Sequence, residues 1–282
     1  MRSGVLGFAI ILITLTSAVA FGQRGRGAAA PARPTPHYPD GRVSFAPIPG
    51  ENGVWLPGAG GAETLVAPDN PNPAFAQFLG QPFPGKKKVS EVPFQPWAKA
   101  LHDYRAANQF EPHTRCKPSG GVRQFITPYG VEFVDRPELQ RMYIMDIGGP
   151  HTFRVIYMDR TSHLKDLSPT YYGDSIGHWE GETLVVDTVG FNEKFWIDRF
   201  GLPTTDKLHL IERFTRTDYN TIKYEVTIDD PGAYTSTWST GFFLRWDQGQ
   251  ELFEYVCQDN NYAPELMVGD QKSVDRSSPI VP

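Results

Sequence analysis

Residues 110–267 predict an all-β domain, a single antiparallel up-and-down barrel or strongly curved sheet. Three observations carry the prediction. From Gln124 onward, apolar residues recur at every second position, the period of a strand with one buried face. The runs are short and divided by turn signals such as Gly148-Gly149-Pro150 and Asp230-Pro231-Gly232. No strand–helix alternation accompanies them, which excludes a doubly wound α/β fold. A β-sandwich is the alternative arrangement of the same strands.

The chain has 282 residues. Residues 1–20 read as a secretory signal. Arg2 supplies the positive start, Val5 to Val19 is an apolar run, and Ala18-Val19-Ala20 offers a small-x-small cleavage site. The run is short for a membrane span, and an uncleaved anchor is the competing reading. A periplasmic or secreted location follows, with no membrane span after cleavage. The net charge of −5 and a single basic run, Lys86-Lys87-Lys88, exclude a nucleic-acid surface.

Residues 21–49 are rich in Gly, Ala and Pro and predict a disordered tether. Residues 50–109 predict an extended arm and one short helix packed on the core. The arm holds apolar anchors from Trp55 to Phe83, but its prolines argue against a central strand. The helix spans Pro93 to Asn108, with Trp97, Ala100, Leu101 and Tyr104 on its apolar face. His102, Asp103 and Arg105 fall on the face expected to be wet. Pro96 suits the first turn.

Strands are expected at 141–147, 153–158, 183–189, 208–216, 222–228, 234–240, 242–246 and 252–257. Thr183 to Val189 reads as a buried strand. In 208–216, Leu210, Glu212 and Phe214 share one face. The tail 268–282 is polar and frays.

Cys116 and Cys257 are the only cysteines. In an oxidising compartment such a pair reads as a disulfide. A catalytic thiol at Cys116, beside His113 and Arg115, is the competing reading.

The segment from Pro169 to Phe191, PTYYGDSIGHWEGETLVVDTVGF, is the most suggestive for chemistry. Gly173 to Gly177 matches the G-x-S-x-G pattern of a serine-hydrolase elbow, but Gly181 and the strand after it leave no room for the helix that the elbow needs. The segment therefore reads as a Gly-hinged loop feeding a strand. Histidine and carboxylate side chains in the β region suit general acid–base chemistry or zinc, although no metal-ligand spacing is present. Arg154, Asp187 and Glu212 interrupt apolar strands, so they either point outward or pair inside a lumen. The candidate pocket or acid–base residues are His151, Arg154, Tyr157, His163, Tyr172, Asp174, His178, Asp187, Trp196, His209 and Glu212. A polar aromatic or carboxylate-bearing small molecule suits such a set. The leading reading is a periplasmic or secreted barrel that binds such a molecule; the alternatives are a hydrolase or lyase using a His–carboxylate site in the same cavity, and an envelope interaction protein with the Pro-rich arm as contact. No cofactor is expected beyond the possible zinc.

From Phe94 onward the chain also resembles a large uncharacterised family of secreted proteins of soil bacteria. The resemblance rests on PFQPWAKAL, CKPSGGVRQF, GGPHTFRVIYMD, PTYYGDSIGHWEGETLVVDTVGFNEKFW, LHLIERFTRTD, YEVTIDDPGAYT and EYVCQDNN. It implies no assigned reaction. The strand pattern also resembles the lipocalin-like, calycin-type ligand-binding barrels. The family pattern has histidine where this chain has Asp174 and Thr204, and its MDGRPHP motif loses Gly and Pro at Met158 to Leu164. His151, Arg154, His163 and His209 still match. So do Cys116 and Cys257, which fits the disulfide.

Overall fold

The computed structural model describes residues 33–58, 63–70, 83–147 and 152–257. Nine strands close into one barrel in sequence order: β1 (Gly53–Pro57), β2 (Val131–Arg136), β3 (Arg141–Asp146), β4 (Phe153–Tyr157), β5 (Asp174–Glu180), β6 (Thr183–Val189), β7 (His209–Asp218), β8 (Thr221–Asp229) and β9 (Trp238–Gln248). Closure settles the choice between barrel and sandwich. It also requires an even number of strand reversals around the ring. Nine strands achieve this because β4 and β5 pair in parallel while the other eight pairs are antiparallel. The barrel is therefore not strictly up-and-down: residues 158–173 carry the chain back over the outer wall from the end of β4 to the start of β5.

The period-two reading of β7 holds. Leu210, Glu212 and Phe214 point inward, joined by Tyr224 and Val226 from β8 and Phe242 and Leu244 from β9. The lumen is filled. Tyr224 meets Phe242, Phe214 and Phe125 with ring centroids 4.8–5.0 Å apart, and each such contact adds about 0.5–1.5 kcal/mol beyond area burial.

Several expectations are corrected. β1 lies inside the expected arm, hydrogen-bonded along β9 from Gly53↔Gln248 to Pro57↔Leu244. Its one proline is its last residue, where the ladder ends. The described part of the expected tether, from residue 33, is ordered against the barrel: Val43 and Phe45 are buried, and Trp55 Nε1 donates to Phe45 O at 2.8 Å. The two strands expected at 234–240 and 242–246 are one strand, and 252–257 forms none. Residues 63–67 and 86–88 instead follow the stretch of β9 beyond its pairing with β1. There Thr240 Oγ1 donates to Leu65 O at 3.1 Å, and Lys86 Nζ pairs with Glu63 at 2.9 Å.

The single α-helix among the described residues, α1 (Pro96–Asn108), is turned over relative to expectation. It buries Ala98, His102 and Arg105, while Trp97 and Tyr104 are 47% and 45% exposed. Partners from distant loops override the local apolar stripe. His102 packs on Phe94 at 5.3 Å, and the Arg105 guanidinium lies 5.1 Å over the Trp196 ring.

Cys116 and Cys257 form a disulfide across 141 residues. It ties the start of the expected core to the segment after β9. The thiol reading of Cys116 falls with it. Among the described residues no helix is long and apolar enough to cross a membrane. The expected signal, the expected tail 268–282 and His151 lie outside the described residues.

Candidate functional site

The candidate residues do not meet in one cavity. They divide between the lumen, one barrel end and the outer wall.

Inside the lumen, Arg154 and Glu212 are 1% and 0% exposed. Arg154 donates to both Glu212 oxygens, to Ser175 Oγ at 2.9 Å and to Thr188 Oγ1 at 2.6 Å. Tyr224 Oη donates to Glu212 Oε1 at 2.8 Å, and Ser175 and Thr188 bond each other at 3.0 Å. Every member of this network has a partner, the condition under which an interior tolerates an ion pair. Ser175 is 1% exposed and engaged by Arg154, so its hydroxyl is not presented as a nucleophile. The expected Gly-hinged loop is corrected: Asp174–Glu180 is strand β5, paired along β6, and only Gly173 at its start keeps a turn role. Gly173 has φ +64°, and a Cβ there would come within 2.5 Å of Val189 O.

At one barrel end, Tyr172 Oη donates to Asp146 Oδ2 at 3.0 Å and also bonds Thr152 Oγ1; Gln124 Nε2 reaches the same Asp146 oxygen at 2.9 Å. Burial pushes the Asp146 carboxyl up to about 7 despite these bonds. Burial and the Asp146 charge raise the Tyr172 phenol well above its ordinary range.

The outer wall of β5–β7 carries the arrangement with chemical potential. Strand alternation places Asp174, Asp187 and His209 on the same outer surface. The 158–173 crossover brings Arg160 and His163 over them. Arg160 donates to Asp174 Oδ1 at 2.6 Å and His163 Nδ1 meets Asp174 Oδ2 at 2.9 Å. His163 Nε2 meets Asp187 Oδ1 at 3.1 Å, and His209 Nε2 meets that same oxygen at 2.7 Å. Burial alone would raise the Asp174 carboxyl, but the hydrogen bonds from His163 and Arg160 outweigh it and hold the group below its ordinary value.

Hydrogen-bond roles follow from the partners. A carboxylate oxygen accepts, so each His163 nitrogen lies where it can donate, Nδ1 to Asp174 and Nε2 to Asp187. His209 donates from Nε2, which leaves Nδ1 as its acceptor nitrogen. Among the described residues Nδ1 has no hydrogen-bond partner, and the His209 side chain is one-third exposed. The geometry is that of an imidazole oriented by a carboxylate, with a second histidine on the same carboxylate oxygen, an arrangement that suits proton transfer.

The other candidates fall elsewhere. Tyr157 lies on the outer wall under Arg160, whose guanidinium is 3.6 Å from the ring centroid. His178 is exposed and meets Glu180 at 3.2 Å, away from the relay. Trp196 is buried against Arg105. Sequence reasoning missed Arg160, because its reach to Asp174 exists only once the crossover folds back. It also missed Asp146, although strand alternation puts it on the buried face of Met142 and Ile144, and Gln124, which lies in a short 3-10 turn with no such pattern.

Among the described residues no group of three or more His, Cys, Asp and Glu side chains is arranged to hold a metal ion. Comparison with protein-family models, curated proteins and solved structures finds no match.

Proposed function

We propose that this protein is a periplasmic or secreted acid–base enzyme, a hydrolase or lyase, whose site is the Arg160–Asp174–His163–Asp187–His209 relay on the outer wall of β5–β7. The observation that carries the reading is the double engagement of Asp187 Oδ1 by His163 and His209, which leaves His209 Nδ1 to accept a proton. His209 is the general base, Asp187 fixes its tautomer, and His163 bridges the Asp174 and Asp187 carboxylates and holds Asp187 in place. Asp174 and Arg160 position His163. Asp174 stands where the family resembled in sequence has histidine, so this chain's relay is built with a carboxylate at that place. The disulfide supports an oxidising compartment.

The lumen supports the lesser role. Its aromatic filling and paired Arg154–Glu212 network suit a rigid scaffold better than a ligand cavity. The small molecule of this reading therefore binds on the wall. The test is turnover across a panel of chromogenic esters, glycosides and β-eliminable substrates. At least one class is expected to react, with a loss of roughly 10²–10⁴-fold in H209A and D187N. Absence of turnover in every class, or equal turnover in H209A, would contradict the reading.

A further inference from the structure

Beside the relay lies a groove of about 700 Å³ between residues 83–93 of the arm and the outer face of β7–β9. Its position is set by strand register. Ile211 lies in the groove and pairs directly with Asp187 of the relay across β6 and β7. His209 is two residues away on the same face of β7, a separation of about 6–7 Å. Thr237, another lining residue, donates to Asp229, which is the β8 partner of His209. The relay and the groove are thus adjoining parts of one surface.

The chemistry of the groove is specific. Thr227, Ser236, Thr237 and Ser239 supply hydroxyls; Thr227 and Ser239 bond each other at 2.9 Å and Thr237 donates to Asp229, which leaves Thr237 an acceptor and the Thr227–Ser239 pair one outward donor and further acceptor capacity. The charged lining residues are Lys87 and Arg213 against Glu91 and Glu225, which balance. Arg213 is already held by Glu180 at 2.8 Å. Trp238 lines the groove from beneath: it is 5% exposed, shares the inward face of β9 with Phe242 and packs on Tyr234 at 5.3 Å, so its indole is floor and not a contact for a ligand. The arm wall is anchored by the buried Lys86–Glu63 pair, whose ammonium also donates to Gly241 O at 3.2 Å.

We propose that this groove binds a neutral polyhydroxylated ligand, a saccharide, and presents it to His209. A hydroxyl-rich lining without net charge matches neutral hydroxyls; a carboxylate or phosphate would meet no surplus cation there. The inference rests on the acid–base reading for the fate of the ligand, but not for its binding.

The experiment is titration of the chain from residue 21 to 282 with a panel of neutral trisaccharides of different linkage, followed by calorimetry and ligand-observed NMR. A uronic-acid trimer serves as the anionic control. At least one neutral trisaccharide is expected to bind, with the uronic trimer at least tenfold weaker. Ser239→Trp fills the groove from an exposed position and is expected to weaken binding at least tenfold. Thr227→Val removes one hydroxyl at nearly constant volume and is expected to weaken it severalfold; circular dichroism confirms that each variant is folded. His209→Ala should leave affinity within about twofold. No binding by any neutral trisaccharide, a preference for the uronic trimer, or binding indifferent to both groove substitutions would overturn the proposal. Saccharide binding that survives while His209 proves to be protonated on Nδ1 would leave the groove standing and remove the acid–base reading.

Discussion

Replacing Glu212 by Gln tests how the lumen network holds the barrel. Glu212 accepts two hydrogen bonds from Arg154 and one from Tyr224, in a site from which water is excluded. The amide removes the negative charge and turns an N–H donor toward a guanidinium that stays charged. Breaking a buried pair on one side costs about 3–5 kcal/mol. For a domain of this size that corresponds to a fall in Tm of roughly 6–20 °C. The double replacement Arg154→Met with Glu212→Leu behaves differently. It removes both charges, and Ser175 and Thr188 keep each other. Only the Tyr224 hydroxyl is orphaned, at a cost of about 1–3 kcal/mol. Urea unfolding with matched m-values measures both variants. The reasoning is refuted if E212Q loses less than about 1 kcal/mol, or if the double variant is less stable than E212Q.

Three further outcomes follow from the same structure. Removing the disulfide with C116S/C257S opens a 141-residue loop and should cost about 5 kcal/mol by the chain-entropy model; a loss under about 1 kcal/mol in the urea midpoint analysis would contradict it. The Asp146 carboxyl ionises at about 7 when folded and near 3.8 when unfolded. The stability it contributes is therefore fully present below about pH 3.8 and lost as pH rises through 7, a change of about 4 kcal/mol. D146N should remove that slope, so the stability difference between wild type and variant should change by several kcal/mol between pH 4 and 8; a pH-independent difference would count against the burial argument. Arg105 is 4% exposed and lies over Trp196, and burial lowers its guanidinium to about 10. No hydrogen bond or ion pair to it is found among the described residues, so R105M should stay within about 1 kcal/mol of wild type by thermal melt, and a loss above about 3 kcal/mol would show an essential partner.

The strands were legible where packing and alternation agree. Leu210 and Phe214 on one face oblige Glu212 to share it, so an inward carboxylate was implied by β7 alone. β1 was hidden because five residues ending in Pro57 form a strand only when β9 supplies the ladder. The helix misled because Trp97, Ala100, Leu101 and Tyr104 outweigh His102 and Arg105 in any local measure of hydrophobicity. The winning partners, Phe94 and Trp196, come from outside the helix. For the site, sequence offered most of the right side chains without their grouping. His163, Asp174, Asp187 and His209 span 47 positions, and only the parallel β4–β5 connection brings His163 back over the wall. His178 and Asp174 looked equivalent in sequence. Side-chain direction and the reach of Arg160 separate them.

The central claim is that Asp187 holds His209 with its proton on Nε2 and its Nδ1 free. Long-range ¹H–¹⁵N correlation spectra of the labelled protein at neutral pH measure this directly, with H209A and H163A identifying the signals. The expected spectrum shows an acceptor-type Nδ1 and a protonated Nε2 for His209, and mixed His209 tautomers in D187N. A His209 protonated on Nδ1, or a His209 spectrum that D187N leaves unchanged, would contradict the relay.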